Sequence, residues 1–380
     1  MRIQVSRDYA ETRAVIKVIG IGGAGGNAIN RMAEAGVQGV ELIAANSDAQ
    51  DLRRSQAEVK IQVGQTVTKG LGVGGDPNRG KEAMAETEEQ IREYLHGADL
   101  VFVTAGMGGG TGTGGAPIVA RIAKEMGALT VGVVTKPFDF EKLDRSSKAE
   151  QGILEMRQNV DTLLVIPNQR LLEIIDHDTT TEAAFKMADD VLLRAIKSIS
   201  DVITTPGQIN MDLNDLRAIM KDAGDALIGM GEAFGPKRAI MAAKAAIHSP
   251  LLENVVMDGA KGLIINITGS KAGKASLKLT EIEEATGLIT GAASPDAKMK
   301  AGYVYDESLG ESIRITVIAT GFPTRKRTLN RLGYKPGAAA VPGAQARRPF
   351  DMEPEPRQPM SAPEDWSKPA FLRLKVRRLK

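Results

Sequence analysis

The sequence GMGGGTGTGG occupies residues 106–115, directly after an apolar run at residues 100–105 and before a helical pattern at residues 117–126. This order predicts a strand, a glycine loop and a helix. Glycines at such a junction let the backbone approach a phosphate group, and the next helix points its free N–H groups at it. The hydroxyls of Thr111 and Thr113 are additional donors. We therefore expect a phosphate-binding loop here.

A second glycine loop, GIGGAGGN at residues 20–27, follows the β-branched run at residues 15–19. Gly20, Gly22 and Gly25 match the dinucleotide fingerprint GxGxxG, although a tight strand-to-helix turn explains the same spacing. Two such loops on neighbouring strands supply amides for a longer phosphate chain, so a triphosphate fits better than a dinucleotide. The motif GxxxxGK[ST] is missing from the sequence, which excludes the common P-loop NTPases.

Composition limits the classes of protein that remain. The 380 residues, 42% of them hydrophobic, supply enough apolar surface for two domains. A net charge of +2 gives no general attraction to nucleic acid or to an anionic membrane. The chain lacks cysteine, which excludes disulfides, thiolate metal sites and a cysteine nucleophile. Neither a signal peptide nor an apolar run of ~20 residues is visible, so we expect a soluble, intracellular protein.

The alternation of apolar runs and helical patterns predicts an α/β fold. Its N-terminal part is typical of a doubly wound, mainly parallel sheet with the ligand at the carboxyl ends of the strands. The expected strands are residues 15–19, 41–45, 100–105, 129–134, 163–166, 262–268, 301–305 and 313–319, and the expected helices include 117–126, 181–204, 212–220 and 237–247. The expected domains are a phosphate-binding domain at 12–180, a long central helix at 181–206, a smaller C-terminal α/β domain at 207–322, a disordered linker at 323–364 and a docking peptide with a basic extension at 365–380.

The segment GGGTGTG at residues 108–114 is similar to the signature of the tubulin/FtsZ family. The resemblance continues outside this loop, through NSDAQ at 46–50, TKPF at 135–138, FE at 140–141, IPN at 166–168, residues 210–215, SPLL at 249–252 and residues 316–322. It implies a tubulin/FtsZ-like fold and a GTPase that polymerises head to tail, hydrolyses GTP to GDP and phosphate at the joint, and forms the division ring at the future septum. It also implies a cytoplasmic location, on the inner face of the membrane at mid-cell.

The resemblance implies a set of nucleotide-binding residues. The phosphates would be held by Gly22, Gly23, Ala24, Gly25, Gly26, Asn27, Gly109, Gly110, Thr111, Gly112 and Thr113. Glu141 would accept ribose hydroxyls and Arg145 would offset phosphate charge. Phe185 would stack on the base, while Asn168 and Asp189 would contact guanine. A helix-core role for Phe185 and a solvated carboxylate for Asp189, with Asp190 in its place, are the alternatives.

For hydrolysis, the resemblance assigns water positioning to Asp212 and Asp215, with Asn210 nearer the nucleotide. From the residues alone, Asp212 is an N-cap and Asp215 a first-turn carboxylate favoured by the helix dipole. The implied cofactors are GTP or GDP and Mg²⁺, which the phosphates would hold without direct protein ligands, with K⁺ as a candidate additional ion.

The C-terminal segment Lys368-Pro369-Ala370-Phe371-Leu372-Arg373 resembles the family's docking peptide for membrane-tethering and regulatory division proteins. A merely basic end is the alternative. The basic residues among 375–380 would add weak direct attraction to anionic lipid. We expect the chain itself, in a head-to-tail homopolymer, and these tail-binding proteins as partners, and no nucleic acid.

Besides a conservative Ser47 for Thr and a longer, more basic stretch at 269–275, four positions depart from the family pattern: Val73 and Gly75 stand where Ala is usual, Asp76 where Asn is usual and Lys142 where Gly is usual. Asp76 would place a carboxylate near the γ-phosphate, and Lys142 calls the local turn into question. Two other functions compete with the polymerising GTPase. A GTP-binding regulatory paralogue with little hydrolysis is the first. A nicotinamide-dependent oxidoreductase is the second, but it leaves the second glycine loop unexplained.

Overall fold

The computed structural model describes residues 14–173, 178–204, 211–252, 259–271 and 273–322. Asn210, the linker at 323–364 and the docking peptide at 365–380, including Pro369, Ala370, Phe371, Leu372 and Arg373, lie outside these ranges. What the sequence predicts for them stays a prediction.

The strands of the described residues are β1 (Ile16–Ile21), β2 (Glu41–Asn46), β3 (Val59–Gln62), β4 (Leu100–Gly106), β5 (Leu129–Lys136), β6 (Thr162–Pro167), β7 (Gly224–Ala233), β8 (Gly262–Gly269), β9 (Lys298–Tyr305) and β10 (Ile313–Thr320). They form one sheet in the order β3-β2-β1-β4-β5-β6-β7-β10-β8-β9. Pairing is parallel from β3 to β7 and between β8 and β9, and β10 runs antiparallel to β7 and β8. The mainly parallel sheet confirms the predicted fold class.

The helices of the described residues are α1 (Gly22–Glu34), α2 (Ala49–Arg54), α3 (Gln65–Thr68), α4 (Pro77–Glu86), α5 (Glu88–Leu95), α6 (Thr111–Glu125), α7 (Leu143–Asn159), α8 (Asn168–Leu171), α9 (Thr181–Thr204), α10 (Leu213–Met220), α11 (Arg238–Ile247) and α12 (Leu279–Gly291). Helices α1, α9 and α10 pack on one face of the sheet in a single apolar core. On the opposite face, α5, α6 and α7 cover the first half of the sheet and α11 and α12 the second. Among these residues, no helix combines the length and the apolar character needed to cross a bilayer.

Helix α9 runs from the carboxyl edge of the sheet to its amino edge. Near its start, Phe185 contacts Phe138, which follows β5. At its end, Thr204 lies against Gly39, which precedes β2, because a Cβ built on Gly39 would be 2.8 Å from the Thr204 Cβ. Thr204 is 19 positions after Phe185, which corresponds to roughly 28 Å at about 1.5 Å per residue. This helix therefore connects the carboxyl edge of the sheet with its amino edge.

Strand β7 was not predicted, because its sequence GDALIGMGEA looks too rich in glycine for a strand interior. The structure gives the reason for two of these glycines. A Cβ on Gly229 would lie 2.1 Å from the Ala246 oxygen, and one on Gly231 would lie 2.1 Å from the Ala242 oxygen. Helix α11 packs so closely on β7 that only glycine fits at these positions.

Helix α6 begins at Thr111, six residues before the predicted start at Pro117. The sequence pattern was misleading because glycine in a helix interior is usually unfavourable by about 1 kcal/mol relative to alanine. Here close packing requires it: a Cβ on Gly114 would lie 2.0 Å from the Pro77 oxygen at the start of α4. Much of the glycine loop is therefore the first turns of a helix.

Candidate functional site

The sheet changes direction between β1 and β4. From β1 the chain builds β2 and β3 on one side, and it then returns to place β4 on the other side of β1. In such sheets the connections after the two central strands diverge and leave a crevice at the carboxyl edge, where ligands bind. The two glycine loops follow β1 and β4, so both lie at this crevice.

The N-termini of α1 and α6 meet at the crevice. Gly22 is the first residue of α1, with a φ of +71°, and a Cβ built on it would lie 2.9 Å from the Gly112 nitrogen in α6. Neither N-cap residue, Ile21 or Gly110, caps its helix with a side chain, and neither first turn contains an acidic residue. The first amides of both helices and the positive ends of their dipoles therefore face one region, as anion binding requires.

Both threonines of the second loop are buried and hydrogen-bonded within the protein. The Thr111 hydroxyl meets the Ser47 hydroxyl at 2.6 Å, which ties α6 to the end of β2. The Thr113 hydroxyl accepts from the Gly108 N–H at 2.9 Å. These hydrogen bonds fix the shape of the second glycine loop and thereby the positions of its backbone amides.

The loop at residues 70–76, where three of the four departures lie, packs against the second glycine loop. Val73 is buried, and a Cβ on Gly110 would lie 2.4 Å from one of its methyl groups. Gly75 has a φ of +76°. Asp76 is the N-cap of α4 and accepts from the Asn78 N–H at 2.9 Å. Aspartate and asparagine cap helices equally well, so this N-cap position accommodates an acidic residue.

Glu141 and Arg145 form an ion pair beside the second loop. Glu141 accepts a hydrogen bond from the Phe138 N–H at 2.9 Å and forms an ion pair with Arg145 in the first turn of α7. A Cβ on Gly108 would lie 2.7 Å from the Arg145 oxygen, so the start of α7 touches the loop. These contacts place both predicted residues at the rim of the crevice.

Lys142 adopts a backbone conformation that is almost restricted to glycine, with φ +78° and ψ 161°. A non-glycine residue there is strained by about 1–3 kcal/mol. We expect Lys142→Gly to raise the free energy of unfolding by about 1 kcal/mol, after subtraction of the extra entropy of glycine in the unfolded chain. Denaturation by urea measures this change. Lys244→Gly, in the interior of α11, is the control and should lower stability by about 1 kcal/mol. Equal losses in both variants would contradict the strain at Lys142.

Three phenylalanines form a cluster at the same edge. Phe138 stacks on Phe140 with ring centroids 5.0 Å apart, and Phe185 in α9 packs edge-on to Phe138 at 5.4 Å. Phe185 keeps 39% of its surface exposed, which argues against the alternative of a helix-core residue. Its ring is available to a planar group on the outer side of the cluster.

Asn168 begins α8 and is buried. Its Oδ1 atom has no hydrogen-bond partner among the described residues. A buried amide oxygen without a protein partner is unfavourable unless water or a ligand donates a hydrogen bond to it. The neighbouring Gln169 accepts from the Asp139 N–H at 3.1 Å, which places α8 beside the phenylalanine cluster.

Asp189 lies on α9, half-buried, opposite Arg31 of α1. Burial raises the pKa of Asp189 to about 7, the positive charge of Arg31 partly offsets this rise, and the Asp190 carboxylate adds to it. A solvated helix carboxylate would not be shifted in this way, so the structure favours Asp189 over Asp190 as the unusual group.

Asp212 and Asp215 are not part of this arrangement. Asp212 is the N-cap of α10 and accepts from the Asp215 N–H at 2.7 Å, as expected from the residues alone. The Met211 N–H donates to the Val202 oxygen at the end of α9. The two carboxylates therefore lie at the amino edge of the sheet, a helix length away from the crevice. Asn210 lies outside the described residues.

The sequence analysis missed some residues of the site. Arg31, Ser47, Phe138 and Phe140 were not named as site residues, although Phe138 and Phe140 are two of only eight phenylalanines and lie three residues and one residue before Glu141. Arg31 gave no local signal, and Ser47 was noted only within the segment NSDAQ at 46–50 and as a conservative departure, without a role of its own, because the partners of both residues in the site are far away in the sequence. Among the described residues, no group of three or more His, Cys, Asp or Glu side chains is arranged to hold a metal ion.

Comparison with known proteins agrees with this geometry. The model of the tubulin/FtsZ family GTPase domain matches residues 15–176, and that of the FtsZ family C-terminal domain matches residues 224–323. A solved structure of FtsZ from M. jannaschii, described as an empty dimer, is 43% identical over 82% of this chain and 89% of that chain, with a TM-score of 0.79. The chain belongs to the FtsZ family.

More distant FtsZ-like structures share the fold alone. CetZ2 from Haloferax volcanii, described as a GTPγS-bound protofilament, and CetZ1 from the same organism, described as a GDP-bound monomer, are each 19% identical with a TM-score of 0.69. Each similarity covers 82% of this chain and 95% of the other. The two domain matches confirm the predicted two-domain, tubulin-like architecture. At the level of the family, the GTPase-domain match confirms GTP binding and GTPase activity.

Proposed function

We propose that the chain is a cytoskeletal GTPase that polymerises head to tail, hydrolyses GTP at the joint between subunits, and forms the division ring on the cytoplasmic face of the membrane at mid-cell. The observation that supports this most directly is the placement of the two predicted half-sites. The phosphate loops lie at the carboxyl edge of the sheet, and Asp212 and Asp215 lie at the amino edge, beyond the end of α9.

The separation of the half-sites excludes their meeting within one chain, since α9 alone spans roughly 28 Å between its Phe185 and Thr204 contacts. They can meet only when the amino edge of one subunit covers the crevice of the next. A contact between two different surfaces repeats without closing and generates a filament. This geometry supports hydrolysis that requires assembly.

In the nucleotide-binding half, the amides at the starts of α1 and α6 would bind the phosphates, with Gly22, Gly23, Ala24, Gly25, Gly26 and Asn27 on one side and Gly109, Gly110, Thr111, Gly112 and Thr113 on the other. Glu141 would accept the ribose hydroxyls, and Arg145 would balance phosphate charge. Asn168 offers an amide oxygen without a partner, and Phe185 an exposed ring, to the guanine base.

Mg²⁺ bound to the phosphates would supply charge neutralisation in the transition state, with K⁺ as a candidate additional ion. The protein's own contribution is to hold the triphosphate with amides and to orient the attacking water. Asp212 and Asp215 of the adjacent subunit, with Asn210 nearer the nucleotide, would accept hydrogen bonds from that water. The tail would recruit membrane-tethering and regulatory proteins through Pro369, Ala370, Phe371, Leu372 and Arg373.

The test of this function is phosphate release from GTP at rising protein concentration, alongside sedimentation of polymer. Turnover per subunit should be near zero below a critical concentration and should rise to a plateau above it. Constant turnover per subunit at all concentrations would place the whole site in one chain. GTP binding without turnover at any concentration would support the regulatory paralogue instead.

GTP affinity should depend on the ionisation of Asp189. Only the carboxylate can accept both N–H donors of the guanine edge, and with a pKa of about 7 most of the unliganded protein carries the neutral acid at pH 6. Binding must then include loss of a proton, so we expect affinity about tenfold weaker at pH 6 than at pH 8. Calorimetric titration of the monomer with a non-hydrolysable GTP analogue measures this difference.

Asp189→Asn is the control for this prediction, because its amide does not titrate. The variant should bind more weakly at pH 8 and show a much smaller change in affinity between pH 6 and pH 8. An unchanged pH dependence in Asp189→Asn would assign the effect to the phosphates of the nucleotide.

A further inference from the structure

Lys300 makes an ion pair with one of the two water-positioning carboxylates. It lies on β9, an edge strand of the sheet, and its Nζ atom is 2.6 Å from Oδ1 of Asp215 on α10. The pair joins positions 85 residues apart in sequence. Both side chains are partly exposed, 44% for Lys300 and 35% for Asp215, so the pair lies at the surface.

The side of β9 that carries Lys300 is the side that faces α9 and α10. Gly302, two residues further along the strand, packs against Val202 of α9, since a Cβ built on it would lie 2.6 Å from a Val202 methyl group. Residues two apart on a strand share a face. The reach of Lys300 to Asp215 is therefore set by the sheet, and no flexible loop is needed to bring the two groups together.

Each of the two carboxylates makes a contact through its Oδ1 atom. Oδ1 of Asp212 accepts from the Asp215 N–H, and Oδ1 of Asp215 meets Lys300. Within the described part of the chain, Oδ2 of Asp212 accepts no hydrogen bond, and Lys300 is the side chain that pairs with the Asp215 carboxylate. The two carboxylates lie within one helical turn, and a single side chain, that of Lys300, pairs with the Asp215 carboxylate.

We propose that Lys300 is a positioning residue for GTP hydrolysis, which fixes the Asp215 carboxylate so that its second oxygen can orient the attacking water at the subunit joint. The inference rests on the proposed function of an assembly-coupled GTPase. Asp212 and Asp215 must approach a negatively charged triphosphate. The positive charge of Lys300 lowers the electrostatic repulsion between these carboxylates and the phosphates.

A purely structural role for this ion pair is disfavoured by its exposure. Surface ion pairs contribute little to folding stability, because water screens them and two long side chains lose freedom. Loss of Lys300 should therefore act on turnover and leave the fold and the distant nucleotide crevice unchanged. The effect should appear in kcat and not in the affinity of the monomer for GTP.

The experiment compares Lys300→Met, which keeps the length of the side chain and removes the charge, with Lys300→Arg, which keeps the charge. Lys298→Met is the matched control, since Lys298 lies on the same face of β9 and its side chain has no ion pair with a described residue. Above the critical concentration, we expect kcat to fall about tenfold in Lys300→Met, to return within about twofold of wild type in Lys300→Arg, and to stay at the wild-type value in Lys298→Met. GTP affinity and melting temperature should be unchanged in all three.

A double variant tests whether Lys300 acts through Asp215. If it does, Lys300→Met combined with Asp215→Asn should hydrolyse GTP no more slowly than Asp215→Asn alone. Wild-type kcat in Lys300→Met, or losses that multiply in the double variant, would overturn the inference while assembly-dependent hydrolysis by the wild type still stood. Absence of assembly-dependent hydrolysis in the wild type would overturn the proposed function itself, and the inference with it.

Discussion

Replacing Asp212 with asparagine is expected to lower GTP turnover by about 10²–10³-fold while filaments still sediment with GTP. Positioned groups that accept a proton or a hydrogen bond from the reacting water typically contribute factors of this size. Asparagine serves as an N-cap as well as aspartate does, so α10 keeps its first turn and only the negative charge is lost. Phosphate release above the critical concentration, divided by sedimented protein, measures the change.

The matched control is Asp76→Asn, since Asp76 is also an N-cap carboxylate but lies at the other edge of the sheet. This variant should retain turnover within a few-fold of wild type. A comparable loss in Asp76→Asn and Asp212→Asn would mean that helix capping, and not the chemistry of Asp212, controls the rate. Turnover by Asp212→Asn at the wild-type level would remove this residue from the mechanism.

Replacing Gly22 with alanine is expected to weaken GTP binding at least about 100-fold. The added Cβ would lie 2.9 Å from the Gly112 nitrogen, where the amides of α1 and α6 converge, and alanine is strained at a φ of +71°. The loops must move apart, and the phosphates lose the shared set of donors. Titration of the monomer with a fluorescent GTP analogue measures the affinity.

Gly287→Ala provides the control for this substitution. Gly287 lies in α12 without a positive φ, and a Cβ added to it would meet open space. It should bind GTP with wild-type affinity. Wild-type affinity in Gly22→Ala would contradict the assignment of the phosphates to the meeting point of α1 and α6.

The two inactive variants together give a direct test of a shared site. Gly22→Ala lacks a competent crevice but keeps its carboxylates, and Asp212→Asn has the opposite defect. In a mixed filament, a joint between the crevice of one and α10 of the other is complete. A mixture should therefore recover part of the turnover that neither variant shows alone, whereas no recovery in co-sedimenting filaments would argue against a site built from two chains.

Local sequence patterns were sufficient for most of the sheet. β-branched runs such as that of β1 identified all eight expected strands, with ends displaced by at most three residues. The four-residue strand β3, VKIQ, was missed because it is too short to give a pattern, whereas the errors at β7 and α6 share another cause. The glycines of β7 and of the first turns of α6 look unfavourable in isolation, and only the approach of α11 and α4 makes them necessary. Tertiary packing of this kind leaves no mark on a local pattern.

Some features of the candidate site could likewise be predicted from local sequence, and others could not. The two glycine loops could be found from composition and spacing, and the two caps at Asp76 and Asp212 follow general rules for helix starts. The raised pKa of Asp189, the partnerless oxygen of Asn168 and the pair between Lys300 and Asp215 depend on residues brought together from distant parts of the chain. Their roles could be seen only in the folded molecule.

The placement of α9 between two dissimilar edges has a consequence for the ends of any polymer of this chain. If the site is shared between subunits as we propose, the last subunit at one tip exposes its crevice without a neighbour's carboxylates, and nucleotide bound there survives intact. At the other tip, the carboxylates face solvent and have no substrate. The two tips therefore differ in chemistry from the moment of assembly, and the older, hydrolysed joints lie in the interior. Growth and loss of subunits should consequently be unequal at the two tips, and the single helix that separates the half-sites sets this direction.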